Sequence, residues 1–79
     1  MKKLEIGAIY KHYKGTKVKV LGVAIHSETM EPMVVYIHLE DGVTWVRPKK
    51  MFLESIVIKG KKTERFQKIE QKILIKPKK

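Results

Sequence analysis

The segment His26-Ser27-Glu28-Thr29 sets a potential base, nucleophile and acid in consecutive positions, the most chemically suggestive run in the chain. Nucleophilic catalysis needs a hydrogen bond between nucleophile and base and a site for the oxyanion, and adjacent residues on an extended chain point to opposite faces. The four residues are therefore expected to form a loop. In it Ser27 and Thr29 bond nearby backbone groups and Glu28 pairs with a cation, with ligand binding as the alternative.

Trp45 and Arg47 stand two apart in a β-prone stretch and so share one face. Such a pair suits a stacked base or an anion held in the planar guanidinium fork. The competing expectations are that Trp45 fills the small core, which is favoured, and that Arg47 pairs with Glu28 or Glu31. Tyr10, His12, Tyr13 and Tyr36 offer an aromatic wall, or else half-buried packing with wet hydroxyls. His12, His26 and His38 have no local metal-ligand spacing such as i, i+4, so neither a metal nor a cofactor is expected.

The formal net charge is +10, and it is unevenly placed. Residues 1–60 carry 10 basic and 6 acidic side chains, whereas residues 61–79 carry 8 basic and 2 acidic, so the tail holds +6 of the excess. Basic segments attract polyanions by counterion release, which makes nucleic acid a candidate partner through Arg47, Lys49, Lys50 and the tail lysines. The tail is also amphipathic. Burial of its apolar stripe on the domain or on a second subunit is its favoured role, ahead of an anionic surface.

These residues need a scaffold, and 79 residues allow one small domain. The chain has no cysteine, which excludes disulfides, thiolate metal sites and a cysteine nucleophile, and fits a cytoplasmic protein. No signal peptide or membrane span is expected, because no apolar run approaches the roughly 18 residues a span needs.

Alternation predicts strands over 7–13, 17–26, 33–39, 43–47 and 55–59, with a bend or bulge near Gly22 and a hairpin turn at Glu40-Asp41-Gly42. Pro48 is expected to take the chain out of the sheet into a short helical turn that drops Met51 and Phe52 onto the open end of the barrel. After Gly60, Phe66, Ile69 and Ile73 fall at helical spacing behind a Thr63 cap, predicting a short helix; the alternative is an extra strand over 72–76. Five short strands argue for a mainly β, antiparallel barrel or sandwich.

Gly7, Tyr10, His12-Tyr13-Lys14-Gly15, the run from Val20 to Ala24, His26-Ser27-Glu28-Thr29, Val34-Val35-Tyr36, Trp45-Val46-Arg47-Pro48, Met51-Phe52 and Arg65-Phe66 occur in one order along the chain. In this the sequence resembles the bacterial domain of unknown function 1653 family. The resemblance covers about residues 7–66 and implies a small SH3-like β-barrel, in keeping with the five strands read from the residues, with no activity attached. It divides the chain into a domain over 1–66 and a basic extension over 67–79.

The function expected is that of a binding module rather than an enzyme, with nucleic acid or another polyanion as ligand. Protein interaction or self-association is the second expectation. A small-molecule or catalytic site built on His12, His26, Glu28, Arg47 and Arg65 is the third, and it requires those groups to converge in one concave pocket.

Overall fold

The computed structural model describes residues 3–69. The chain forms β1 (Ile9–His12), β2 (Lys17–Ile25), β3 (Pro32–His38), β4 (Thr44–Pro48), the short helix α1 (Lys49–Phe52), β5 (Ser55–Ile58), β6 (Lys61–Glu64) and β7 (Phe66–Ile69). Five strands make one antiparallel sheet in the order β4-β3-β2-β1-β7, and β5 pairs with β6 in a separate two-stranded sheet.

Each junction has a local cause. His12 N–H donates to the Thr16 carbonyl and Gly15 N–H to the His12 carbonyl, both at 2.7 Å, which closes the β1–β2 turn around Gly15 at φ 106°. A residue with a side chain rarely adopts that φ. The β3–β4 turn is held by Gly42 N–H on the His38 carbonyl at 2.9 Å and by Val43 N–H on Asp41 Oδ1 at 3.0 Å. The expected irregularity in β2 is a register shift between Val20 and Gly22 that leaves Leu21 unmatched.

Directly opposed residues of an antiparallel pair share a face. Register therefore places Phe66 with His12, Tyr10 with Val18, Val18 with His38, Val20 and Trp45 with Tyr36, and Val34 with Arg47 on one face of the sheet. Phe52, fully buried, covers one end of that face. Its ring stacks on Phe66 at 4.1 Å between centroids and meets Tyr10 at 5.3 Å and Tyr36 at 5.4 Å. Tyr10, Val18, Val20, Val34, Tyr36, Phe52 and Phe66 form the core.

Three expectations are corrected. Barrel closure is not found, because β7 returns to β1 and the intervening chain makes its own small sheet, which leaves β4 at the edge among the described strands. The predicted helix after Gly60 is instead β6 and β7 as far as Ile69, since the open edge of β1 offers a ladder of hydrogen bonds that a solitary short helix lacks. Thr63 consequently pairs with Ile56 rather than capping a helix. The helix's remaining residues and the alternative strand over 72–76 lie outside the described residues, as do the other positions of the tail from 70 on. Finally, Pro48 does not leave the sheet: it ends β4 opposite Met33, which an edge strand tolerates because proline's missing donor faces no neighbour. The helical turn follows immediately, burying Phe52 but leaving Met51 exposed.

Candidate functional site

Phe52 covers only part of the sheet face. Beyond it the same face continues as an open pocket of about 230 Å³, bounded by His12 and Phe66 on one side and Trp45 and Arg47 on the other. Val18, Tyr36 and His38 make the floor, and Lys14 and Thr16 of the β1–β2 turn stand at the rim. The pocket is thus the uncovered continuation of the core face.

Its walls are aromatic. His38 lies nearly parallel to Trp45 at 5.3 Å and 22°, and to Tyr36 at 6.0 Å and 26°. The His12 ring meets Phe66 edge-on at 4.9 Å. Trp45 is 50% exposed, so the expectation that it fills the core is overturned. It occupies the edge strand at the end of the sheet that Phe52 does not reach.

Its charge is cationic. The Arg47 guanidinium carbon lies 5.6 Å from the Phe66 ring centroid, and Arg47 Nε donates a long hydrogen bond of 3.4 Å to the Tyr36 hydroxyl. The expected ion pair with Glu28 or Glu31 is not formed, and among the described residues no carboxylate pairs with Arg47. The Lys14 ammonium sits 5.7 Å from the Tyr13 ring. His12 Nδ1 accepts the Lys14 backbone N–H at 3.2 Å, which leaves Nε2 to carry the proton of the neutral ring. Burial, followed by the positive charges of Arg47, Arg65 and Lys14 and the neighbouring His38, holds the His12 pKa below 6.5.

The other predicted site residues lie elsewhere. His26, Ser27, Glu28 and Thr29 form the β2–β3 loop, at the opposite end of β3 from His38. There His26 Nδ1 accepts the Glu28 and Thr29 N–H groups at 3.1 and 3.3 Å, and the Thr29 hydroxyl donates to Glu31 Oε1 at 3.3 Å. Lys50 borders a groove with Thr29 and Glu31, and Lys49 adjoins it in α1, so neither is part of the aromatic pocket. Tyr13 packs on His12 at 4.4 Å but lines an adjacent hollow.

Arg65 is held by Glu54. Its Nη2 donates to Glu54 Oε2 at 2.7 Å, its backbone carbonyl accepts from Tyr13 N–H at 3.0 Å, and its Nε is buried with no hydrogen-bond partner among the described residues. Tyr10 and Tyr36 belong to the core, so the four-residue aromatic wall is not formed. The third expectation, one pocket holding His12, His26, Glu28, Arg47 and Arg65, is likewise not met, since only His12 and Arg47 come together. His38, Lys14 and Thr16 were not singled out as ligand-binding residues; the signal available was His38 in phase with Tyr36 on a predicted strand.

Among the described residues no helix is long and apolar enough to cross a membrane. Comparison with curated proteins gives no match. A crystal structure of a DUF1653 protein from Bordetella bronchiseptica is similar, with a TM-score of 0.75 and 29% identity over 87% of this chain and 91% of that one. The family model described as "Protein of unknown function (DUF1653)" matches residues 8–68, which takes in all of β1 to β6, most of β7 and every residue lining the pocket. On that match the chain belongs to the DUF1653 family.

Proposed function

We propose that the protein is a binding module for single-stranded nucleic acid, not an enzyme, and that the pocket bounded by His12, His38, Trp45 and Arg47 is its recognition site. The observation that carries this reading is Arg47: a guanidinium in an aromatic pocket with no carboxylate among the residues lining it. A partly buried cation without an acidic partner among the described residues favours an anion as ligand. Trp45 supplies the second half of the recognition, a half-exposed ring on which a base can stack. Bases in a duplex are already stacked on each other, so the arrangement favours a single strand.

The sole tryptophan of the chain is Trp45, so its fluorescence reports on this pocket alone. Titration with a short oligonucleotide at low salt should change that signal, and the affinity should fall steeply as salt rises. No binding at low salt rejects the reading.

A second reading, protein interaction or self-association, is favoured by Val46, which is 56% exposed on the opposite face of edge strand β4 and pairs with Val35. Light scattering that finds a monomer across a wide concentration range counts against self-association.

A further inference from the structure

Resting on the nucleic-acid reading of this pocket, we infer that its preferred ligand is a strand end or mononucleotide bearing a terminal phosphomonoester, rather than an internal stretch of phosphodiester backbone.

The first argument is shape. Toward the core the pocket is blocked, because Phe66 carries Phe52 stacked at 4.1 Å on it. The flanks are closed by His12 on β1 and by Trp45 and Arg47 on β4, and the floor by Val18, Tyr36 and His38. Away from its floor, and toward the end of the sheet where the β1–β2 and β3–β4 turns emerge, the pocket is open. A volume of about 230 Å³ falls below the roughly 300–1,000 Å³ of most small-molecule pockets. A hollow of this size, blocked at its core end, receives one nucleotide unit rather than several.

The second argument is charge. Arg47 and Lys14 are cationic, and the neutral His12 ring presents Nε2–H as a donor. Among the described residues no carboxylate lines the pocket to compete with an incoming anion. An internal diester brings a single negative charge. A terminal phosphate brings about −1.5 to −2 at neutral pH and three strong acceptor oxygens, which suits a site with several donors better. The half-exposed Trp45 ring, backed by His38 at 5.3 Å, offers a surface on which the attached base can stack.

The test uses the full chain and Trp45 fluorescence with three probes of the same sequence: a 5′-phosphorylated, a 3′-phosphorylated and a 5′,3′-dihydroxyl single-stranded oligonucleotide. The expected result is that one phosphorylated end binds at least about tenfold more tightly than the dihydroxyl strand, the size of effect that charge-assisted hydrogen bonds to a dianion supply. Equal affinity for all three overturns the terminal-phosphate inference and leaves nucleic-acid binding standing. Failure of all three to bind at low salt overturns both. A second arm uses Lys14→Gln, an exposed turn position whose substitution spares the core: the ratio of phosphorylated to dihydroxyl affinity should fall toward one. An unchanged ratio with Lys14→Gln, joined by an unchanged ratio with Arg47→Lys, contradicts the assignment of the phosphate to this pocket.

Discussion

The guanidinium of Arg47 lies 5.6 Å from the ring centroid of Phe66, and that ring is stacked at 4.1 Å on Phe52. Phe66 thereby contacts both the closed core and the open pocket, so the residues that stabilise the domain also shape its proposed site.

Removal of Phe52 should therefore affect both. Its ring is fully buried among Tyr10, Tyr36 and Phe66. Phe52→Ala should cost about 3–5 kcal/mol, which for so small a domain approaches the whole of its stability. Urea denaturation followed by Trp45 fluorescence checks this, and a loss below about 1 kcal/mol would mean that α1 does not cover the core as described.

Gly15 tests the turn that carries Lys14. Its φ of 106° is adopted with open space where a Cβ would stand, so Gly15→Ala costs backbone energy without a clash. The expected loss is about 1–2 kcal/mol, accompanied by weaker ligand binding as the turn shifts. An unchanged melting curve would show that the turn has no need of glycine.

The ion pair between Arg65 and Glu54 should matter modestly. Arg65 is 19% exposed and Glu54 40% exposed, so solvent screens the pair, and Glu54→Gln should cost about 1 kcal/mol or less. Oligonucleotide affinity should stay the same, since neither residue lines the pocket. Altered affinity would return Arg65 to the site.

His12 gives the pH dependence its sign. Because burial and the nearby cations hold its pKa below 6.5, the folded chain binds fewer protons there than the unfolded one as pH drops below that value. Stability at this position is unaffected above about pH 6.5 and is lost as pH falls toward the folded pKa, where the loss levels off. An anion in the pocket offsets the surrounding positive charge and raises the His12 pKa, so a dihydroxyl oligonucleotide should bind more tightly over the same window. His12→Gln should flatten both profiles. Profiles indistinguishable from those of the unaltered protein would exclude His12 as their source.

Much of the scaffold was legible because β-strand alternation is local. The first five predicted strands appear within about two residues at each end, the turn at Gly42 follows from glycine's backbone freedom, the irregularity of β2 falls beside Gly22, and Phe52 folds back over one end of the sheet face. The segment after Gly60 misled for a physical reason. Phe66 and Ile69, three apart, fit a helical stripe, yet in β7 they lie on opposite faces, with Phe66 beside His12 and Ile69 beside Ile9. The site itself depends on register. His12 and His38 line one pocket only because β1 and β3 pair on either side of β2, and Trp45 stays open only because Phe52 covers the other end of the face. Neither relation is written in spacing along the chain.

The most direct test of the central claim is a two-dimensional amide and indole NMR titration of the full chain with a 5′-phosphorylated oligonucleotide. The account predicts that the shifts concentrate on the Trp45 indole N–H and on the backbone amides of His12, Lys14, Thr16, His38 and Arg47. Shifts confined to Lys49, Lys50 and the lysines of the tail, with the Trp45 indole unmoved, would contradict it.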